Sequence, residues 1–182
     1  KLGIVPSDTI LIYDDKAECD AARLWWILKF YGHPNIKLLN GGLKAWVAVN
    51  GELSNSEAKP EPSNYQFLAQ PDSSVYASIK YLRSHLGSHD FILLDTRGEQ
   101  EFNGKPKDGA AYGGHIENAV NLDWAMAVDF NGTQKFLDAD QLKVNFQDVG
   151  VEGEKSVITY CHSGVRSAHT LFVLTELLGY RN

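Results

Sequence analysis

The sequence predicts an α/β fold, a mainly parallel sheet flanked by helices on both faces. Three observations carry that prediction. Short β-branched apolar runs alternate with helix-length amphipathic segments, the pattern of parallel strands joined by crossover helices. A length of 182 residues with 43% hydrophobic content supports a packed core without cross-links. A strand–loop–helix unit also occurs twice: Asp14 to Cys161 and Gly32 to Gly179 span the same 147 positions, with no gap.

The elements follow in order. Thr9–Tyr13 has the length and branching of a buried strand, and Ala21–Tyr31 reads as a helix closed by Gly32. Residues 36–39 form a short strand, and Asn40-Gly41-Gly42 punctuates before a brief helix from Leu43 to Val49. The composition then shifts to Ser, Asn, Glu and Pro, with Pro60, Pro62 and Pro71, which marks a linker; Tyr65–Leu68 within it could pair as an edge strand. Ser74 is placed to cap a helix bearing Val75, Ile79 and Leu82. Phe91–Leu94 is a strand ending on Asp95, residues 119–122 are another, and a helix runs from Ala139 to Gln147. Ser156–Tyr160 leads straight into Cys161, and the helix Ser167–Leu178 stops at Gly179.

Composition excludes several functional classes. The 17 Lys+Arg against 23 Asp+Glu give a net charge of −6, unlike a surface for nucleic acid or anionic lipid. No apolar run approaches a membrane span. Two cysteines, Cys19 and Cys161, cannot make a disulfide framework, and no charged-then-apolar leader is visible, so a cytoplasmic location is favoured. The start at Lys1 is expected to reflect a removed leader or a piece of a longer chain.

The chemistry centres on Cys161-His162-Ser163-Gly164-Val165-Arg166. The cysteine ends a strand and a helix begins just after it, so unpaired backbone N–H groups converge there. Gly164 permits the tight turn that wraps those donors around one point, and Arg166 adds a permanent cation. Such surroundings favour a thiolate, the form that acts as nucleophile. His162 and Ser163 would line the mouth of the loop, and Arg166, at its end, is expected to contact the substrate or stabilise the sulfur it leaves on Cys161.

This loop resembles the Cys-x-x-Gly-x-Thr/Arg turn of tandem-domain rhodanese-type sulfurtransferases, the thiosulfate / 3-mercaptopyruvate sulfurtransferase family. Asp95-Thr96-Arg97 is similar to that family's Asp-x-Arg, and Gly114-His115-Ile116-Glu117-Asn118-Ala119 to its Gly-His-Ile-x-x-Ala. Asn40-Gly41-Gly42 with Trp46 is similar to its closing Gly-Gly…Trp segment. The resemblance implies transfer of a sulfane sulfur from thiosulfate or 3-mercaptopyruvate to cyanide or a thiol, a thioredoxin-like protein included, through a Cys161 persulfide. It implies no metal or organic cofactor. Asp95 and Arg97 would be an ion pair bracing the loop. Phosphatases of related architecture use Cys-x5-Arg, one residue longer, to fit a tetrahedral phosphate.

The substrate pattern is mixed. His162 and Ser163 replace the two basic residues usual in thiosulfate users; Ser163-Gly164-Val165 fits the mercaptopyruvate pattern, but His162 and Arg166 do not. Glu101 stands where mitochondrial members place a substrate-binding arginine. The alternative reading is a catalytically silent rhodanese-like binding or regulatory module.

The repeat and the resemblance together divide the chain. Residues 1–53 are expected to be the C-terminal portion of an inactive domain, with Asp14 in the place of the cysteine. Residues 54–73 are a linker, and 74–182 a catalytic domain lacking its final strand and helix. Residues 36–49 would then be candidates to fill that vacant place in the second sheet.

Overall fold

The computed structural model describes residues 2–67, 70–107 and 109–181. Among the described residues, five strands fall into two sheets, and every strand pairing in them is parallel. In the first, β1 (Ile10–Ile12) pairs with β2 (Ile36–Leu38). In the second, the order is β4 (Val120–Asn121), β3 (Phe91–Asp95), β5 (Ser156–Tyr160), so β5 is an edge strand. Six helices accompany them: α1 (Cys19–Phe30), α2 (Gly42–Ala48), α3 (Ile79–His85), α4 (Glu99–Phe102), α5 (Ala139–Gln147) and α6 (Val165–Phe172). The last passes into one π-helical turn, Val173–Leu177, and Gly179 takes a φ of 71° beyond it.

Each half has its own apolar centre. Leu94, Leu142, Phe146, Val151, Val173 and Leu174 form one; Ile12, Ala21, Ala22, Trp25 and Phe172 form the other. Phe136 packs against both, stacking on Phe172 at 5.5 Å between ring centroids. The halves join where α1 lies on α6. There, positions separated by the sequence repeat meet one another: Trp25 sets its ring against Phe172 at 5.1 Å, and Lys29 pairs with Glu176 at 2.7 Å, 147 residues away. Equivalent positions touch in this way around a two-fold axis. The buried Trp25 and Phe172 carry this contact, while the partly exposed ion pair adds little.

Several expectations are corrected. Ser74 caps no helix; it lies in a 3₁₀ turn, Ser73–Val75, capped by Asp72. Tyr76 is extended, so the following helix starts afresh at Ile79 with Ser78 as its cap, Oγ accepting from Tyr81 N at 3.1 Å. Tyr65 to Phe67 form no strand. Tyr65 instead gives its hydroxyl to the His33 ring at 2.7 Å and stands edge-on to Phe67; Leu68 lies outside the described residues. Residues 36–38 stay on β1 rather than joining the second sheet, because Ile36 and Leu38 pack into the Trp25 core. Their loop does touch the other half: Asn40 Oδ1 accepts from Phe136 N at 2.9 Å.

Candidate active site

Cys161 follows β5 directly, at the carboxyl end of a parallel sheet, where such folds open their crevices. Gly164 takes a φ of 83° and ends the loop as the N-cap of α6. That left-handed turn folds the chain back so that Gly164 N donates to Cys161 Sγ at 3.1 Å. Burial alone would push the thiol pKa up. The backbone N–H groups of Ser167, Ser163 and Gly164, with the Ser167 hydroxyl, outweigh that and hold it below the ordinary thiol value. The loop therefore favours the thiolate form of Cys161 more than an ordinary cysteine site does.

The strand before Cys161 is held from the side. Asp95 is opposite Tyr160 in the β3–β5 register, and Thr96 donates to Tyr160 O from both its N–H and its hydroxyl. Asp95, wholly buried, accepts from Arg97 N at 3.0 Å, Arg97 Nε at 2.9 Å and Arg97 Nη2 at 2.6 Å. Arg97 Nη2 also donates to Gly114 O, and its guanidinium lies over the Tyr160 ring. Tyr160 Oη accepts from Ile116 N, and burial pushes its hydroxyl up to about 12. These contacts tie the Asp95-x-Arg97 and Gly114–Ala119 segments to the residue preceding the thiol.

The other loop residues separate. His162 and Ser163 are exposed, and Val165 and Arg166 are half-buried. The Arg166 guanidinium does not stand free: both terminal nitrogens close on the Glu101 carboxylate, Nη1 on Oε2 and Nη2 on Oε1. The pair holds Glu101 below the usual carboxylate range and raises Arg166 further. Cys19, the counterpart of Arg166 in the first repeat, is buried and its thiol is pushed up to about 12.

Arg23 gave no signal in the sequence. It comes from α1, in the other half, and its Nη1 would be 3.0 Å from a Cβ placed on Gly164. Its guanidinium stacks on Trp26 at 4.5 Å. Arg23, Trp26, Tyr76, Tyr160, Cys161 and Gly164 line one cavity of about 480 Å³. A second, of about 540 Å³, lies against Ser163, Val165 and Arg166 on one side and Asp15, Lys16 and Asp20 on the other. Among the described residues, no group of three or more His, Cys, Asp or Glu side chains could hold a metal ion, and no helix is long and apolar enough to cross a membrane.

The first repeat shows the same loop occupied by a carboxylate. Asp14 Oδ1 accepts from Lys16 N and Glu18 N, and Oδ2 from Ala21 N, each at 2.9 Å. Ala17, the counterpart of Gly164, keeps the left-handed conformation at a φ of 54°. Both turns are anion cradles, one closed on its own side chain.

Comparison with known proteins agrees with this geometry. The model of the family described as "Rhodanese-like domain" matches residues 2–49 and 78–182. A Mycolicibacterium smegmatis protein named "Putative thiosulfate sulfurtransferase" is 35% identical over 99% of this chain and 66% of its own length. The "Sulfur carrier protein TtuD" of Thermus thermophilus is 33% identical over the same shares. The chain thus spans about two-thirds of the length of these relatives. Among solved structures, Escherichia coli SseA, from work on 3-mercaptopyruvate sulfotransferases, superposes with a TM-score of 0.81 at 26% identity, covering 96% of this chain and 64% of its own. An anaerobic ergothioneine biosynthesis enzyme from Chlorobium limicola shares the fold at 22% identity, with a TM-score of 0.85 over 99% of this chain and 47% of its own. With a thiol cradle, its bracing strand and the family match all falling on the same segments, the chain belongs to the rhodanese-like domain family.

Proposed function

We propose that this chain is a sulfurtransferase that carries sulfur as a persulfide on Cys161. One observation supports this above the others: the Cys161 sulfur accepts from Gly164 N at 3.1 Å within a turn whose N–H groups lower its pKa. In the first step the Cys161 thiolate attacks the outer sulfur of thiosulfate, or the thiol sulfur of 3-mercaptopyruvate, whose pyruvate enolate leaves and takes up the thiol proton. The donor's sulfur–sulfur or carbon–sulfur bond breaks, and the donor residue leaves with the bonding pair. The N–H ring that held the thiolate then holds the terminal sulfur of the persulfide, without rearrangement. In the second step cyanide or a thiol, a thioredoxin-like protein among the candidates, removes that sulfur and restores the thiolate. His162, Ser163, Gly164 and Val165 form the wall of the turn, while Asp95 and Arg97 act as positioning residues through Tyr160. In this reading residues 1–53 are a non-catalytic unit, 54–73 a linker and 74–182 the catalytic unit. The names of the relatives support the same activity.

The test is uptake of one cyanide-labile sulfur per chain from thiosulfate, 3-mercaptopyruvate or an organic persulfide, read by thiocyanate release. Cys161→Ser is expected to abolish it while Cys19→Ser leaves it intact. Wild-type protein that takes up no such sulfur from any of the three donors refutes the proposal and returns the chain to a binding or regulatory role.

A further inference from the structure

Two guanidinium groups reach the Cys161 turn, and they are treated differently. Arg166 is bound at both terminal nitrogens by Glu101, with side chains only 17% and 21% exposed, so its charge is cancelled at short range. In the cavity beside it, Lys16 is likewise paired with Asp20 at 2.6 Å. Arg23 differs. Among the described residues no carboxylate bonds to it; it stacks on the Trp26 ring, its Nη1 lies 3.0 Å from where a Cβ on Gly164 would be, and it lines the same cavity as Cys161.

We infer that the Cys161 turn is built for a sulfur donor whose departing group carries a single negative charge, which Arg23 receives, and that Glu101 discriminates against a dianion by neutralising Arg166. This rests on the sulfurtransferase reading and adds a substrate class to it. A dianionic donor approaching the thiolate brings two charges toward one uncompensated cation. The second charge finds Arg166 already compensated by Glu101. A monoanion is matched one to one. Rejection through a like charge, beside attraction through an unlike one, is how charge selectivity is commonly built. The inactive half of the molecule thus supplies the donor-binding cation, and Glu101 is a specificity-determining residue with no part in the bond changes.

Thiosulfate and methanethiosulfonate offer the same sulfane sulfur and differ by one charge on the group that leaves. With thiosulfate, the Cys161 thiolate takes the outer sulfur and sulfite departs with the S–S bonding pair. With methanethiosulfonate, methanesulfinate departs in the same way. Steady-state kcat/KM for the two donors is measured on wild type, Glu101→Gln, Glu101→Asp and Arg23→Gln. Methanethiosulfonate is expected to be preferred by wild type. Glu101→Gln, which keeps a hydrogen bond to Arg166, is expected to cut that preference about tenfold through the thiosulfate KM, by the Coulomb energy of one charge at the near-surface dielectric. Glu101→Asp retains the charge and the preference. Arg23→Gln is expected to raise KM for both donors about tenfold. A preference that stays within twofold across Glu101→Gln, or an unchanged KM in Arg23→Gln, overturns the inference.

A second readout does not need sulfur transfer. Iodoacetate and iodoacetamide alkylate the same thiol and differ by one charge. Their rate ratio at Cys161 is expected to rise severalfold in Glu101→Gln and to fall severalfold in Arg23→Gln. If no donor loads Cys161 but these ratios move as stated, the sulfurtransferase reading fails and the charge selectivity stands. If donors load and the ratios do not move, the sulfurtransferase reading stands and the inference fails.

Discussion

Replacing Asp95 by Asn isolates the brace behind the thiol. The Asp95 side chain is fully buried, and that of Arg97 is 15% exposed, so the guanidinium holds its charge mainly against this one carboxylate. Its other polar contact, Nη2 to Gly114 O, is shared with the same nitrogen that meets Asp95. Removing the negative charge leaves a largely buried cation uncompensated, a change that costs about 3–5 kcal/mol for buried pairs. The residual exposure of Arg97 and the accepting oxygen kept by Asn place the expected loss at the low end, about 3 kcal/mol. For a chain of this size that is a fall in Tm of about 6–12 °C. Urea unfolding of wild type, Asp95→Asn, Arg97→Met and the double variant measures both the loss and the coupling. The double variant is expected to lose about 2 kcal/mol less than the two single losses added together.

Function should follow the same geometry. Asp95 lies opposite Tyr160 and Thr96 donates twice to Tyr160 O, so loosening the pair loosens the residue before Cys161. Iodoacetamide modification of Cys161 in folded Asp95→Asn is expected to slow severalfold at neutral pH, because the thiolate loses part of its aligned N–H ring. A stability loss under about 1 kcal/mol would refute the desolvation reasoning on which the figure rests. Additive single losses would show that Asp95 and Arg97 do not act as a pair.

The two thiols should differ sharply. At pH 7.5 one equivalent of iodoacetamide is expected to react quickly with the native protein, at Cys161, while Cys19, buried and pushed up to about 12, reacts only in denaturant; rapid loss of both native thiols would contradict this. Glu18 is buried and forms no hydrogen bond of normal geometry; burial first, then the Asp14 charge, pushes its carboxyl up to about 7 from 4.5. Between those values the folded chain holds more protons than the unfolded one, so this group's contribution to stability falls as pH rises, and Glu18→Gln is expected to gain on the order of 1–3 kcal/mol on wild type from pH 4.5 to 8 in urea titrations. His169 works in the opposite direction: full burial pushes it down to about 4 from 6.5, so the unfolded chain binds the extra proton and stability falls as pH drops through that window. His169→Phe, set among Trp124 and Phe136, is expected to flatten that acid loss, and an unaltered acid limb would show that His169 does not titrate on unfolding.

Much of the fold was readable because local pattern and final environment coincide. Ala139–Gln147 is helical as its spacing predicts, with Asp138 and Gln141 closing a capping box. The strand into Cys161, the break at Gly164 and the helix beyond were visible because each depends on neighbours in sequence. Helix α4 was not, since four residues carry no period to detect. Ser74 and Ser78 offer the same capping chemistry, and the choice between them is made by Trp26, whose Nε1 donates to Val75 O at 2.8 Å and pins the earlier turn. The site divides along the same line. The thiol and its donors lie within seven residues, so the sequence displayed them together. The Glu101–Arg166 contact spans 65 residues, and the approach of Arg23 to Gly164 depends on α1 packing against α6. Neither leaves a trace in spacing, and both decide which charges the sulfur sees.

The Asp14 turn clarifies what the Cys161 turn is for. Both place a residue with positive φ three positions after the acidic or thiol residue, Ala17 at 54° after Asp14 and Gly164 at 83° after Cys161, and both collect backbone N–H groups onto that side chain. For Ala17 that conformation costs about 1–2 kcal/mol, a strain that Gly164 avoids. A carboxylate accepting three N–H bonds returns more than that, so the first turn can hold a strained alanine. The second turn has no such security. Its thiolate is favoured only while the N–H ring outweighs the cost of burial, and in the proposed transfer it must be freed each time sulfur is passed on. An unstrained glycine keeps the ring in place through both states of the sulfur. Similar turns therefore hold a fixed carboxylate in one repeat and a thiol in the other, and they differ at 14 against 161, at 17 against 164 and at Glu18, whose φ of 62° has no positive-φ counterpart at Val165.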